Sequence, residues 1–416
     1  TYLGYILLFI GMVLSLLNKN SRFAAMLRYK AAKTTLVALL FLLSFPLVNM
    51  AQSNTAKYTP PSVAHAEKFG QLLVQDNSGR IEPINTLASE VLRKIARKTS
   101  FNGMTPEQVL LGMMTDPEYW KTVPIIKVTH PKVKEIIGIS GKRVSFNQVV
   151  DFENERGYLL EKYVNEAYEK KPAERNKFDK DVMAVDERLN ICYLIYIGKF
   201  MKIFPAADDP DNKWYTAAEA FHTFTGKDTT FIRHFMSVYG QSVKKASETG
   251  DWKDADFLLN GLKMFQETNG KNIIPPKSKI KLEIFYNKQN IFNKLEGFYG
   301  LFGFLLLLIH FVNLLIPKFK MRWIIIISTT IVIIAFLMHT AGLGIRWYIS
   351  GHAPWSNAYE SMVFIAWATV LAGIVFVRKS PISLTATALL ASMILSVAHL
   401  NWLDPEITNL VPVLKS

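Results

Sequence analysis

Apolar and polar positions divide the chain into blocks of different character. Six segments are almost free of charge: 2–17, 35–51, 297–316, 323–345, 358–377 and 382–400. The last four run for 20, 23, 20 and 19 residues, and ~20 residues of α-helix cross a ~30 Å hydrocarbon layer. Each of these predicts a membrane-spanning helix. The first two are slightly short, and the second extends back toward Ala31. Between the second and third lies one long polar stretch, 52–296.

That stretch has mostly helical periodicity. Residues 86–98 place Leu87, Val91 and Ile95 on one stripe and Arg93, Lys94, Arg97 and Lys98 largely elsewhere. Thr105-Pro106-Glu107-Gln108 predicts a helix start, with a capping threonine, proline in the first turn and glutamine three residues on. Long helices are expected over 152–170 and 174–203, separated by Pro172, and over 228–247 and 252–268, broken at Gly250. Residues 123–128 and 136–144 suggest short strands. The amphipathic run 279–295 is expected to continue straight into the third span, and 52–61 to be a linker stopped by Pro60-Pro61.

Composition narrows the class. Half of the residues are hydrophobic, 20% are charged and the mean hydropathy is +0.15, which excludes a disordered chain and argues against an ordinary soluble enzyme. A net charge of +14 could signal a nucleic-acid surface. Its distribution says otherwise. The stretch 52–296 holds 36 Lys+Arg and 31 Asp+Glu, leaving 12 basic and three acidic residues near the spans. Ten of those 12 fall in three connections, at 18–34, 317–322 and 378–381. The positive-inside rule makes these connections cytoplasmic, so the basic excess is a topology signal and no nucleic-acid partner is expected.

The predicted fold class follows. It is mostly α: a polytopic α-helical membrane protein with about six transmembrane helices and one large, mainly helical extracytoplasmic domain. Residues 1–51 supply two spans with a basic cytoplasmic connection, 52–296 the extracytoplasmic domain, and 297–416 four further spans. Residues 28–51 also resemble a signal peptide ending at Ala51, but they follow an earlier span and Asn49 is a poor residue three before a cleavage point. A retained helix is the expectation, and either reading puts 52–296 outside. The chain opens on Thr1 within an apolar run, which suggests a fragment or processed product.

Chemistry is sparse in the polar stretch. HExxH, Walker, GxSxG and GxGxxG patterns are absent. Cys192 is the only cysteine, so intrachain disulfides and multi-cysteine zinc sites are excluded, and its apolar context predicts a buried core residue. His222 and His234 lie too far apart to share one helical face toward a metal, and no metal site is expected. The run 208–211 is expected to be a surface turn. Arg93, Lys94, Arg97 and Lys98 suit either a phosphate or propionate patch or, as the favoured reading, a solvated helix face.

The informative stretch is 344–367. Trp347, Tyr348, Trp355 and Tyr359 crowd into thirteen residues, with Trp367 beyond them and Arg346, His352, Ser356, Asn357 and Glu360 interleaved. Aromatic residues gather generically at membrane interfaces. This polar variety goes beyond anchoring and suits a flat, mostly apolar ligand with acidic edges: rings stack, imidazole ligates and arginine meets carboxylates. Haem fits that description, as does a quinone without the acids, and plain interfacial packing remains open. His310, His339 and His399 lie in or at the ends of spans, where ionisable groups usually face a partner, a cavity or a cofactor. A hydrogen bond to a neighbouring helix is the simpler reading of each.

Gly351-His352-Ala353-Pro354-Trp355-Ser356-Asn357-Ala358-Tyr359-Glu360-Ser361 closely resembles the GHxPxSNxYES loop of the CcsA (ResC) half of system II cytochrome c biogenesis proteins. Asp404-Pro405-Glu406-Ile407, with 410–414 behind it, is similar to that family's next external segment. The span 2–17 with Asn18 to Phe23 behind it resembles the closing helix of the CcsB (ResB) half. That order implies a fused CcsBA/ResBC-type cytochrome c synthase, cut from within its first half to within its second. The resemblance covers roughly 1–34 and 297–416, whereas 52–296 is only loosely similar to the extra outer domain of some fused members.

The resemblance implies haem export across the bacterial inner membrane, with 52–296 in the periplasm, and attachment to the CxxCH of an apocytochrome c. Two cysteine thiols would add across the vinyl groups of haem b, the substrate, and a thiol-disulfide reductant protein is an implied partner. The family's WGxxWxWD loop and paired histidine ligands have no matching positions here, and its first external histidine is expected just beyond Ser416. Ligand roles are therefore not carried onto His310, His339 or His399, and His352 is assigned a supporting one. Haem contacts are expected from His352, Trp355, Trp347, Arg346, Ser356, Asn357 and Glu360, with Arg346 and Glu360 either pairing or orienting the ligand. No catalytic residue is assigned, and the segment alone is expected to lack synthase activity. A small-molecule transporter, or a membrane-anchored sensor or scaffold using 52–296, are the competing classes.

Overall fold

The computed structural model describes residues 58–151, 157–207, 209–224, 228–315 and 322–399, together with 403, 405 and 407. The two expected spans within 1–51 lie outside the described residues.

The polar part begins with α1 (Val63–Gly70), capped by Ser62, and a hairpin of β1 (Leu73–Gln75) and β2 (Ile81–Pro83). Next come α2 (Ile84–Ala96) and α3 (Pro106–Thr115). The expected capping box of α3 is present: Thr105 Oγ1 accepts from Gln108 N, and Gln108 Oε1 accepts from Thr105 N. A series of short pieces follows: α4 (Pro117–Thr122), β3 (Ile126–Lys127), α5 (Pro131–Ile137), β4 (Arg143–Val144), α6 (Phe146–Val149), β5 (Val150–Asp151) and β6 (Gly157–Tyr158). Then come α7 (Glu161–Glu169), α8 (Lys177–Tyr196), β7 (Lys202–Pro205), β8 (Trp214–Thr216), α9 (Ala217–Thr223), α10 (Asp228–Thr249) and α11 (Lys253–Asn269).

Several expectations need correction. The strand expected over 136–144 begins as helix, because His130 caps α5, Pro131 opens it and Gly138 closes it in the left-handed region at φ 81°. Only 143–144 pair, with 126–127. Of the helix expected over 152–170, the described residues place 157–158 in β6 and 161–169 in α7, and the helix expected over 174–203 gives way to β7. A four-stranded antiparallel sheet in the order β2-β1-β7-β8 was not foreseen. Its strands have three or four residues, too short to show a period of two. Gln266 of α11 joins its middle strands, its amide donating to Leu73 O and Ile203 O and accepting from Leu73 N. The pair α10 and α11 breaks at Gly250 (φ 80°), as the pattern predicts.

Helix α12 (Lys277–Gln289) does not run straight on. Asn290 takes a left-handed conformation (φ 45°) and closes α12 by donating its N–H to Tyr286 O. The chain then restarts as α13 (Ile291–Leu315). Helices α14 (Arg322–Ser350), α15 (Ala358–Phe376) and α16 (Ile382–His399) complete a set of four long and apolar enough to cross a membrane. The chain is a helical membrane protein. Helix α16 packs closely on both α13 and α15: a Cβ on Gly303 would meet Leu389, and one on Gly373 would collide with Thr387 Oγ1. Buried Leu306, Val332, Val363, Val370 and Leu395 form part of the apolar core of this bundle.

Candidate functional site

The 351–361 loop is built by two helix ends. Helix α14 carries 29 residues, roughly 43 Å at 1.5 Å per residue, so one end projects beyond a ~30 Å hydrocarbon layer. It therefore contains Arg346, Trp347 and Tyr348, which the apolar pattern alone placed past the span. Gly351 (φ 78°) turns the chain out of α14. Asn357 caps α15, its side chain accepting from Glu360 N at 2.8 Å.

Glu360 is turned back toward α14. Its Oε2 accepts from Ser356 N at 2.9 Å and Ser356 Oγ at 2.7 Å, while Oε1 accepts from Arg346 Nε at 2.7 Å. Arg346 also donates through Nη1 to Pro405 O at 2.9 Å and to Tyr286 Oη at 3.5 Å, and its guanidinium lies 5.2 Å from the centre of the Tyr359 ring. Arg346 and Glu360 are each 1% exposed. These contacts tie α12, α14, α15 and Pro405 together. Of the two roles open to Arg346 and Glu360, the structure shows the pairing.

Trp347 and Trp355 lie apart from that clamp, 55% and 58% exposed. Trp355 meets Phe364 edge-on at 5.5 Å, Phe364 stacks on Trp367 at 5.5 Å, and Trp367 stacks on Phe336 at 5.3 Å. Trp367 Nε1 donates to Thr340 Oγ1 at 2.8 Å. Trp347 follows Thr340 by close to two helical turns and so shares its face of α14. Between them a Cβ on Gly344 would meet nothing within 4 Å. The loop ends of α14 and α15 thus carry an aromatic face with an open strip. His352, half-buried in the turn, has Nδ1 3.1 Å from Ala353 O. Phe336 and Phe364 were missed by sequence reasoning. Phe364 precedes Trp367 by three residues and Phe336 precedes Thr340 by four, spacings that a helical wheel would have brought together.

The remaining histidines are placed by helix packing. His339 is fully buried, its Nε2 3.1 Å from Val363 O, beside Phe292 and Tyr299. His310 Nδ1 lies 2.8 Å from Leu306 O, and His399 Nδ1 lies 2.7 Å from Leu395 O and 3.2 Å from Glu296 Oε2. His310 Nε2, His339 Nδ1 and Tyr299 Oη are buried without a hydrogen-bond partner among the described residues. No cluster of three or more His, Cys, Asp or Glu suited to a metal occurs among the described residues.

A cleft of about 1110 Å³ separates α2 and the 97–107 loop from the α12–α13 elbow and the loop end of the bundle. Arg93, Arg97 and Lys98 line it with Lys288, Arg346 and His399. Arg97 and Lys98 are exposed and Arg93 and Lys94 partly so, as expected of a solvated helix face, and Arg93, Arg97 and Lys98 turn that face toward the cleft. The left-handed turn at Arg97 (φ 52°) carries the chain around one wall of the cleft.

These features define a helical membrane protein with a polar clamp and an aromatic face at one end of its bundle. No family model matches the chain. It is 38% identical over 425 aligned positions to Protein NrfI of Wolinella succinogenes, an alignment that takes in all of this chain and 46% of that protein. It is also 38% identical over 94 residues to the cytochrome c biogenesis protein CcsA of Prochlorococcus marinus (22% of this chain, 30% of that one). The CcsA of a Synechococcus strain is 36% identical over 121 residues (28% and 39%). The chain spans about half the length of NrfI and a smaller share of the CcsA proteins. It is a relative of the CcsA-type cytochrome c biogenesis proteins, as its 351–361 loop implied.

Proposed function

We propose that this protein acts in cytochrome c maturation, taking haem as its substrate at the outer face of a bacterial inner membrane and presenting it to an apocytochrome c. The aromatic face between α14 and α15 carries the reading. Trp347 and Trp355 are exposed, Trp347 on the face of α14 that carries the open position Gly344 and Trp355 edge-on to Phe364, and a porphyrin needs flat apolar walls of this kind. The Arg346–Glu360 clamp holds the two helix ends in place and acts as a positioning element. With Nδ1 turned to Ala353 O, His352 supports the turn that carries Trp355.

Around this face, the polar part within 52–296 serves as a periplasmic domain that holds haem or docks the apocytochrome. Two further spans within 1–51 complete a six-span topology, and a thiol-disulfide reductant keeps the apocytochrome cysteines ready. Support for this arrangement comes from the basic connections and from the relatives named CcsA.

The test is the haem absorption spectrum and haem content of the full-length protein purified from membranes. Trp347→Ala/Trp355→Ala should lose most bound haem or shift its absorption, and His352→Ala should show a smaller change. Spectra and haem content unchanged in the double tryptophan variant would overturn the assignment to this face.

A further inference from the structure

We propose that the cleft between α2, the α12–α13 elbow and the loop end of the bundle is a second site, distinct from the aromatic face, that binds a phosphate-bearing anion of the kind carried by a phospholipid head group. Its cations come from three separate elements: Arg93, Arg97 and Lys98 around the end of α2, Lys288 from α12 and Arg346 from α14. Glu67, Glu90 and Glu107 share the lining and each is engaged: Glu67 pairs with Lys288 at 2.6 Å, Glu107 accepts from Asn85 at 2.5 Å, and Glu90 too has a partner within the protein. Arg93 and Lys98 form no ion pair with the described residues. Two cations of one cleft are thus left to meet an anion from elsewhere.

Backbone geometry points to the same place. Four non-glycine residues among the described ones have positive φ, and Arg97, Asn102 and Asn290 of these line the cleft. An arginine held left-handed is strained, and such strain persists where the surroundings fix it, which is commonly at a binding site. Arg97 and Asn290 each end a helix there, α2 and α12.

The lining selects the ligand class. Besides the cations it offers short hydroxyl and amide side chains such as Ser89, Thr99, Ser100 and Asn293, the donors that phosphate oxygens accept from. Phe292 and Tyr359 also border the cleft but are 2% and 5% exposed, so they present little ring face to a porphyrin. The elbow at Asn290 opens directly into an apolar span, which sets the cleft at head-group level. Basic pockets between spans on the cytoplasmic side of membranes hold anionic lipid head groups, and the same pairing of arginine and lysine with phosphate is open to a pocket on the other side. A volume of 1110 Å³ accommodates a phosphoglycerol head.

The experiment is native mass spectrometry of the full-length protein released from nanodiscs of phosphatidylcholine mixed with phosphatidylglycerol. Wild type should retain phosphatidylglycerol in preference to phosphatidylcholine. Arg93→Gln/Lys98→Gln should lower that retention by about 25-fold, roughly fivefold for each basic residue at an anionic head group. Arg93→Lys/Lys98→Arg should keep it, which separates lost charge from lost folding, and Lys263→Gln on α11 should leave it unchanged. Inorganic phosphate is added as a competitor: displacement shows that the phosphate group suffices, and persistence shows that the lipid body adds to it. Equal retention of the two lipids, or wild-type retention in the Arg93→Gln/Lys98→Gln protein, would overturn the proposal. So would loss of haem from that variant with lipid retention unchanged, because the cleft would then belong to porphyrin carboxylates.

Discussion

Arg346 of α14 and Glu360 of α15 form a 2.7 Å ion pair that is almost completely buried. Each partner has further bonds: Glu360 accepts twice from Ser356, and Arg346 reaches the carbonyl of Pro405. Charges removed from water are tolerated when their remaining hydrogen-bonding capacity is met, and here it is met by the loop itself. The pair closes the loop end of the bundle and fixes where the exposed Trp347 and Trp355 stand.

Removing one partner leaves the other charge stranded. Glu360→Ala should destabilise the protein by about 3–5 kcal/mol, the range for breaking a buried pair from one side. Arg346→Met/Glu360→Leu should cost less than the two single changes combined, since neither charge is then left buried alone. Thermal unfolding in detergent, followed by circular dichroism, measures both. A Glu360→Ala protein as stable as wild type would contradict the burial described here.

Asn290 makes the elbow between α12 and α13 through a left-handed backbone at φ 45°. Glycine adopts that conformation freely, whereas an alanine pays roughly 1 kcal/mol. Asn290→Gly should therefore be near neutral in unfolding experiments, and Asn290→Ala should destabilise by about 1 kcal/mol. Equal effects of the two substitutions would show that the turn is not held left-handed in solution.

The four spans were legible in the sequence because ~20-residue apolar runs have few other physical solutions. Their predicted limits differ from α15 and α16 by a single residue. Elements set by local signals were also legible: the Thr105 capping box and the break at Gly250. What escaped depends on partners distant in sequence. Gln266 joins β1 to β7 from 193 and 63 residues away, and nothing near Gln266 announces that. The same limit applies to the site. Ser356, Asn357 and Glu360 share one motif and were found together, whereas Tyr286 carries no signature, and nothing in the 404–407 pattern announces that the Pro405 carbonyl accepts from Arg346. The cleft was hidden for the same reason, because Lys288 comes to line one cleft with Arg93, Arg97 and Lys98 only after folding.

His65 should give the polar part a distinct acid sensitivity. It is buried, with Nδ1 2.7 Å from Asp256 Oδ1 and Nε2 2.9 Å from Tyr239 Oη. Burial lowers its pKa below 6.5, against the opposing hydrogen bond and charge of Asp256. Between pH 6.5 and the lower folded value the unfolded chain binds more protons than the native one. Stability is therefore complete above about pH 6.5 and falls as pH drops through that window. Burial tends to raise the pKa of Asp256, but hydrogen bonds from Lys68 and His65 bring it below 3.8, so its contribution is present above that pH and lost in stronger acid. Unfolding measured from pH 7 to 5 should show a shallower decline in His65→Gln than in wild type. An unchanged slope would remove His65 as the cause.

The orientation of the bundle is open to labelling because the native cysteine is silent. Cys192 is fully buried and burial pushes its thiol up to about 12, so the thiolate that reacts with maleimides is scarce at neutral pH. Wild type should stay unlabelled until it is unfolded. Trp355 and Arg378 are both exposed and flank opposite ends of α15. With the basic connection at 378–379 inside, Trp355→Cys should react with a membrane-impermeant maleimide added to intact spheroplasts. Arg378→Cys should react only after the membrane is opened. The reverse pattern would place the aromatic face in the cytoplasm, where an extracytoplasmic apocytochrome cannot reach it, and the proposed role in haem delivery would fail with it.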